Sequence, residues 1–242
     1  MRISKVAAAL SGAALCCLIG GGAANAAQIQ SFDSGWYTNS GFTAGVNNIN
    51  VGSSNLSGAI YHNWLAFNLG GLAAQTVTGA TLTFYGGNGV NTSATDETLG
   101  LFDYAGSIDA LIANSQNNTG IYTDLGNGNS YGTAIVAPGT IQQFSVTLSQ
   151  DAIADLNLAA HNLVDPRFVM GGSLLSISGP FANEQLFAIF GPQAALTPAA
   201  FLSLQTVSTI PEPSTWAMML LGLGGVVMLL RRKRKNPALF SA

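Results

Sequence analysis

Basic residues are almost absent from the middle of this 242-residue chain. Residues 27–210 contain ten acidic residues and a single basic one, Arg167, so their formal charge is −9, against −3 for the whole chain. Nucleic acids and phosphate groups are bound by clustered cations that replace released counterions. The composition therefore excludes a nucleic-acid partner for this segment, whose carboxylates are better suited to cations such as calcium.

Cysteine is also scarce, and its position separates it from the rest of the protein. The two cysteines, Cys16 and Cys17, lie within an apolar segment over residues 6–19 that follows a basic N-terminus. A basic start followed by an apolar segment of this length is typical of a secretory signal peptide. We expect residues 1–26 to form such a peptide.

Small residues near position 26 predict where the signal peptide is removed. Alanines occupy the first and third positions of Ala24-Asn25-Ala26, so we expect cleavage between Ala26 and Ala27. The exported chain then contains no cysteine and forms no disulfide bond. Packing, alone or together with bound ions, must stabilise the exported domain.

One apolar segment near the C-terminus is long enough to cross a membrane. It runs from Ser214 to Leu230, and its 17 residues extend about 25 Å as a helix, close to the lower limit for a membrane span. Cations that follow a span mark its cytoplasmic end. We therefore expect a transmembrane helix over 214–230, a cytoplasmic tail over 236–242 and the preceding chain outside. The cations are Arg231, Arg232, Lys233, Arg234 and Lys235.

The residues before this segment complete a three-part pattern. Pro211-Glu212-Pro213 comes first, the apolar segment follows, and the basic cluster 231–235 comes last. This order resembles the PEP-CTERM sorting signal of Gram-negative bacteria, a tail also labelled ice-binding-protein C-terminal domain. We interpret residues 209–235 as such a signal. The extension 236–242 departs from the pattern, because such tails often end at the basic cluster.

The resemblance implies a route through the cell. PEP-CTERM tails look like substrates of exosortase, a membrane-embedded transpeptidase-like enzyme whose genes accompany exopolysaccharide production. On this resemblance, Pro211, Glu212 and Pro213 form the recognition element, and the helix and basic cluster are lost or exchanged during delivery. The expected partners are exosortase, the secretion machinery, the inner membrane for a limited time, and exopolysaccharide. We expect an inner-membrane-anchored precursor with its domain outside, and a mature form at the cell surface or in the extracellular matrix.

Alternating apolar runs predict a mainly β fold for residues 27–208, an antiparallel β-sandwich or jelly roll. Residues 47–57 are expected to form an exposed connection or a weak edge strand, and residues 86–89 a turn. Two short helices are expected, over 107–114 and over 150–160. The predicted strands cover residues 28–32, 61–69, 80–85, 98–102, 121–125, 133–136, 142–148, 167–170, 186–190 and 201–206.

The two histidines give no catalytic or metal-binding pattern. The alternation around residues 61–69 places His62 opposite the apolar face of its strand, toward solvent or a groove. His161 is expected at a helix end, near the final carbonyls. Neither has a metal-ligand partner at suitable spacing. We assign no catalytic residue and no cofactor from the sequence.

One loop carries oxygen-bearing side chains at alternating positions. Asp124, Asn127 and Asn129 are spaced around two glycines, but the later glutamate of an EF-hand is missing. Two interpretations remain open, an isolated calcium loop and an Asn-Gly turn, and the turn is the simpler one.

We consider two functional hypotheses. The first is a non-catalytic surface or matrix protein with a structural, adhesive or carbohydrate-binding role, in which aromatic side chains stack on sugars. The candidate platforms are Trp36, Tyr37, Trp64 and Tyr85. An exposed aromatic groove without paired carboxylates would favour this hypothesis.

The alternative is an extracellular carbohydrate-active enzyme. Glycoside hydrolysis requires two carboxyl groups about 5 to 10 Å apart, a separation that depends on the fold. The candidate carboxylates are Asp96, Glu97, Asp103 and Glu184.

Overall fold

The fold is a folded antiparallel sheet with three short helices, followed by a separate C-terminal helix. A computed structural model describes residues 24–43, 48–187, 200–209 and 213–235. The chain divides into a compact unit over residues 23–210 and a second unit made from its two ends. The predicted mainly antiparallel β fold with short helices is confirmed.

The described residues contain eleven strands and four α-helices. The strands are β1 (Ala24–Gln30), β2 (Asp33–Thr38), β3 (Asn50–Ser53), β4 (Ile60–Asn68), β5 (Gln75–Asn91), β6 (Glu97–Asp103), β7 (Ser130–Val136), β8 (Gly139–Thr147), β9 (Arg167–Leu174), β10 (Glu184–Phe187) and β11 (Ala200–Ser208). The helices are α1 (Ile108–Ile112), α2 (Thr119–Leu125), α3 (Gln150–Ala160) and α4 (Pro213–Lys235), and a 3₁₀ turn covers Gly70–Leu72.

All eleven described strands belong to one hydrogen-bonded sheet, nine of them along a single path. Its order is β1-β11-β5-β10-β3-β4-β9-β6-β7, and β2 joins β4 while β8 joins β5. Side chains from distant parts of this path, such as Leu65 of β4, Leu82 of β5 and Leu202 of β11, bury in one core. The sheet therefore folds around a common core, and the finer sandwich or jelly-roll topology stays a prediction.

The long strand β5 links β1 and β11 to the other strands of the sheet. It pairs with β11 along its first half and with β8 and β10 along its second. The turn predicted at residues 86–89 is wrong, because β5 continues through them with a register shift between Tyr85 and Gly89. Glycine is common at such irregularities, because it tolerates backbone angles that other residues rarely adopt.

Strand β4 is buried on both faces. Trp64, Leu65, Ala66 and Phe67 are each 0% exposed. Leu65 and Phe67 pack into the main core, while Trp64 and Ala66 pack into a second core with side chains of α1 and α2. The sequence predicted one apolar face, because it gave no sign that helices cover the other.

The strand predicted at residues 121–125 is wrong, since these residues form most of α2. Asn118 caps this helix, its Oδ1 accepting a hydrogen bond from the Ile121 N–H at 3.1 Å. Ile121 and Leu125 lie four residues apart and both bury in the second core. This spacing fits a helix as well as a strand, and the cap favours the helix.

Both helices that the sequence predicted, over 107–114 and 150–160, are confirmed as α1 and α3. Ser149 caps α3 by accepting from the Ala152 N–H, and Ser107 caps α1 by accepting from the Ala110 N–H, both at 3.3 Å. Serine at this position supplies an acceptor to one of the free amides of the first turn.

Two other predictions need correction. Residues 47–57 contain β3, which is buried between β10 and β4 and is not an exposed connection. Ile49 and Val51 anchor it in the core, and Leu56 is 91% exposed. The strand predicted over 186–190 is present as β10 to Phe187, and residues 188–190 lie outside the described residues.

Gly171 of β9 allows α2 to approach the sheet, which gives a first prediction. A Cβ at this position would lie 2.2 Å from the Leu125 carbonyl oxygen and 2.6 Å from its Cα, both backbone atoms. We expect Gly171→Ala to destabilise the domain by roughly 1–3 kcal/mol in urea unfolding, because α2 must move. Gly71→Ala is the control, because a Cβ there meets nothing within 4 Å. Equal midpoints for the two variants would contradict this contact.

Candidate functional site

The predicted sorting tail coincides with α4. This helix begins at Pro213 and ends at Lys235, so it contains the predicted span and the basic cluster, while Pro211 and Glu212 lie outside the described residues. Among the described residues, no helix combines the length and the apolar character that crossing a bilayer requires. The predicted transmembrane helix over 214–230 is therefore not confirmed.

The predicted signal cleavage site lies inside a strand. Ala26 pairs with Gln205 and Ala27 with Leu204, both in the ladder between β1 and β11. Residues 1–23 lie outside the described residues. The bond between Ala26 and Ala27 stays a predicted cleavage site.

Three aromatic side chains form a partly exposed cluster on β2, β4 and the loop after β2. The rings of Trp36 and Tyr61 meet edge-on, with their centroids 5.1 Å apart. The centroids of the Trp36 and Phe42 rings are 6.0 Å apart, and the angle between the two ring planes is 47°. Phe42 is 51% exposed, and Trp36 and Tyr61 are half-buried. We call Trp36, Phe42 and Tyr61 the aromatic cluster.

Hydrogen bonds fix the orientation of the aromatic cluster. The Trp36 Nε1–H donates to Asn48 Oδ1 at 2.8 Å. Thr38 holds the loop that carries Phe42, since the Thr38 N–H donates to the Phe42 carbonyl at 2.8 Å and the Phe42 N–H donates to Thr38 Oγ1 at 3.1 Å. A ring held in this way loses little conformational entropy when a ligand stacks on it.

Of the three predicted aromatic platforms whose side chains are described, Trp36 is the one that the structure leaves accessible. Tyr37 and Trp64 are 0% exposed and belong to the second core. The Tyr85 side chain lies outside the described part of the chain. Sequence reasoning missed Phe42 and Tyr61, because their proximity to Trp36 depends on the pairing of β2 with β4.

A cavity of about 350 Å³ opens beside α3. Aromatic side chains and carboxylates share its wall. The Tyr131 hydroxyl donates to Asp155 Oδ2 at 2.6 Å, and burial together with this hydrogen bond raises the pKa of Tyr131. The lining residues used below are Asp103, Tyr104, Tyr131, Asp155, Asp165 and Arg167.

Arg167 at this cavity is fully engaged with two carboxylates. Its Nε and Nη2 donate to the two oxygens of Asp165 at 2.6 and 2.8 Å, and its Nη1 lies 2.8 Å from Asp109 Oδ1. The hydrogen bonds from Arg167 hold the pKa of Asp165 below its usual value. The single basic residue of segment 27–210 thus joins α1 to the start of β9 and has little capacity left for an anionic ligand.

The four carboxylates predicted for a hydrolase do not share one site. Glu97 is buried and accepts from the Ser176 hydroxyl. Glu184 accepts from the N–H and the hydroxyl of Ser178, each at 2.6 Å. Both therefore hold the loop after β9. Of the other two, Asp103 lines the cavity and Asp96 does not. The cavity is also lined by Asp155 and Asp165, two carboxylates that sequence reasoning did not single out.

The predicted calcium loop is held by protein donors. Asp124 Oδ2 accepts from the N–H groups of Ala105 and Gly106 at 3.1 and 2.9 Å. Asn129 donates its backbone N–H to Asp103 Oδ1 at 2.8 Å and its side-chain amide to Asp103 Oδ2 at 3.2 Å. Asn127 lies with Asp124 at a shallow depression beside α2. In the described residues, no three His, Cys, Asp or Glu side chains group as metal ligands, so calcium binding stays a prediction.

Both histidines have structural contacts. His62 is half-buried against α2. Its ring stacks on Tyr122 with centroids 4.0 Å apart, and its Nδ1 lies 2.7 Å from the Tyr122 carbonyl oxygen. Since a carbonyl oxygen can only accept, Nδ1 carries the proton. His161 ends α3, and its Nε2 lies 3.0 Å from the Gln75 carbonyl oxygen.

The burial of His62 predicts a pH-dependent stability. Burial lowers the pKa of His62 from its ordinary value of 6.5, so the unfolded chain binds the proton more readily than the folded one. Stability from this residue is therefore complete above about pH 6.5 and decreases as the pH falls below it. We expect His62→Gln to flatten the dependence of the unfolding free energy on pH over about pH 7.5 to 5.5. An unchanged slope in His62→Gln would refute the assignment.

Comparison with known proteins identifies the tail. The family model of the PEP-CTERM protein-sorting motif matches residues 209–235. No curated protein matches the chain. The matched residues contain the Pro-Glu-Pro motif, the apolar segment and the basic cluster in the order found in the sequence. The chain thus carries a PEP-CTERM protein-sorting motif at its C-terminus, the signal of exported proteins that exosortase processes.

Proposed function

We propose that this protein is a non-catalytic carbohydrate-binding component of the cell surface or extracellular matrix. The sorting motif supports export and exosortase processing. In this proposal, residues 214–230 hold the precursor in the inner membrane until processing releases the domain. The domain then joins exopolysaccharide outside the cell.

The aromatic cluster is the observation that carries the carbohydrate proposal. Sugar rings present faces of C–H groups that pack on aromatic rings, while their hydroxyls need hydrogen-bond partners at the rim. The aromatic cluster offers three rings on one surface, with Trp36 fixed by Asn48. The Phe42 ring, 51% exposed, extends this surface toward solvent.

Charge narrows the class of polysaccharide. The segment 27–210 has a formal charge of −9, and its single basic residue is paired with Asp109 and Asp165. Such a surface repels polymers rich in uronic acid or sulfate groups. We therefore propose a neutral polysaccharide as the ligand.

The enzymatic alternative rests on the cavity with Asp103, Asp155 and Asp165. A general acid must be protonated at working pH, yet Arg167 lowers the pKa of Asp165. Asp155 and Asp103 already accept hydrogen bonds from Tyr131 and Asn129. These contacts give the carboxylates structural roles, so we favour the binding function.

Removing the Trp36 ring should weaken polysaccharide binding. We expect the full-length Trp36→Ala protein in detergent to bind a neutral polysaccharide at least tenfold more weakly, about 1.4 kcal/mol, because a central aromatic contact is lost. The measurement is affinity electrophoresis in gels that contain the polysaccharide, together with an assay of new reducing ends.

Phe32→Ala is the matched control for this experiment. Phe32 is 47% exposed, similar to Phe42, and is not part of the aromatic cluster. Its removal should leave binding unchanged. Equal losses in the two variants would refute the aromatic cluster as the binding surface. New reducing ends that disappear in Asp155→Asn would favour the enzymatic alternative.

Processing at the sorting motif depends on its central carboxylate. We expect Glu212→Ala to retain the protein in the membrane fraction and to reduce release several-fold, because the recognition element loses its charge. Fractionation of cells followed by immunoblotting measures this release. The control Thr215→Ala, within the same tail, should be released normally, whereas normal release of Glu212→Ala would remove the proposed role of the motif.

A further inference from the structure

The chain enters and leaves the domain at the same end of the sheet. Strand β1 begins at Ala24, which pairs with Val207 near the end of β11. Thr209, the last described residue after β11, donates its N–H to the Ala74 carbonyl at 3.0 Å. Neighbouring strands lie about 4.8 Å apart, so the two exit points are adjacent.

Both exits lead within a few residues to an apolar segment. The apolar part of the predicted signal peptide ends at residue 19, with four residues between it and position 24, and the predicted span begins at residue 214. The four residues 210–213 can reach at most about 14 Å when fully extended. In a membrane-held precursor, this end of the sheet must therefore stay near the bilayer.

An exposed apolar loop lies at this same end. Gln75 pairs with Ser208 of β11, and the Gln75 carbonyl oxygen lies 3.0 Å from His161 Nε2 at the end of α3. The loop between α3 and β9 begins there, and Leu163 and Val164 within it are 84% and 95% exposed.

Hydrogen bonds hold this loop in its exposed form. Asn162 Oδ1 accepts from the N–H groups of Val164 and Asp165, each at 3.1 Å. At the other end of the loop, the Pro166 carbonyl accepts from the Leu69 N–H at 2.9 Å. The two apolar side chains are thus presented to solvent by a loop that is anchored on both sides.

The charge of this loop is also compatible with a lipid surface. Its one carboxylate, Asp165, forms a bidentate contact with Arg167, which also contacts Asp109. Most acidic residues of the domain would be repelled by anionic lipids, but this loop presents two apolar side chains and a paired charge. Exposed apolar residues beside a membrane insert among lipid headgroups.

We propose that Leu163 and Val164 dock on the lipid surface of the membrane while the precursor is held there. This inference rests on the proposed function, because it requires at least one chain end to be membrane-inserted. The docked loop orients the domain so that the sheet end with Ala24 and Thr209 faces the bilayer. Both processing segments then lie at the membrane surface.

A site-specific label tests this docking in the full chain. Cys16→Ala and Cys17→Ala remove the native cysteines, and Val164→Cys carries an environment-sensitive fluorophore. The chain is reconstituted in phosphatidylcholine vesicles that contain a lipid-attached nitroxide quencher. We expect the label at position 164 to be quenched at least threefold more than a label introduced by Leu56→Cys. Leu56 is the matched control, because it is 91% exposed but lies away from this loop. It precedes the start of β4, whereas the end of β4 leads to the end of the sheet where the chain enters and leaves the domain.

A second label shows whether the apolar side chains cause the docking. Gly71→Cys places the fluorophore at an exposed position near the same end, where a Cβ meets nothing within 4 Å. The changes Leu163→Gln and Val164→Gln remove only exposed side chains, so the unfolding midpoint should not move. Quenching of the label at position 71 should fall at least twofold.

The outcomes separate this inference from the proposed function. If the chain does not float with the vesicles, membrane anchoring fails and the docking fails with it. If the chain floats but positions 164 and 56 are quenched equally, the docking alone is overturned. Shielding of position 164 from iodide without quenching by the lipid nitroxide would show that a second copy of the chain covers the loop, and would also overturn the proposal.

Discussion

The rest of the domain depends on covering both faces of β4. Four successive residues of this strand, Trp64 to Phe67, have no exposed surface, so a single sheet face packed on one core cannot accommodate them. Helices α1 and α2 provide the second cover. The packing has a cost, because Trp64 Nε1 finds no hydrogen-bond partner among the described residues. The same arrangement turns Tyr37 inward and leaves its neighbour Trp36 on the other face of β2, beside Tyr61.

Several acidic residues of this domain accept hydrogen bonds from backbone N–H groups in its loops. Asp124 accepts from two successive amides after β6, and Glu184 accepts from the Ser178 N–H after β9. A carboxylate can accept several such bonds, and charged acceptors make them stronger. The charge of −9 on residues 27–210 therefore reflects, in part, how the loops are held. Acidity alone therefore does not identify a catalytic carboxylate pair.

Local signals predicted the fold better than the site. Strand β4 and the capped helix α3 follow from alternation and from Ser149, which are properties of a few adjacent residues. The wrong prediction of a strand at α2 also has a local cause. Residues 121–125 have one apolar residue at each end, and this spacing fits either a helix or a strand. The aromatic cluster could not be predicted in this way, because Trp36 and Tyr61 meet only through the register of β2 on β4. The carboxylates Asp155 and Asp165 likewise meet at the cavity through tertiary packing of α3 and β9.

The pairing of the first and last described strands would link the predicted signal removal to folding. The predicted cleavage point between Ala26 and Ala27 lies within β1, whose partner β11 is the last described strand along the chain. A protease needs an extended segment that is free of other partners, so signal removal fits a stage before β11 docks on β1. Cleavage at this predicted site would also remove residues 24–26, the neighbours of Gln205 to Val207 in the ladder. The C-terminal end of β11 is then left with fewer backbone partners just before the chain reaches the sorting motif. This is the part of the domain that should open most easily when the motif is processed.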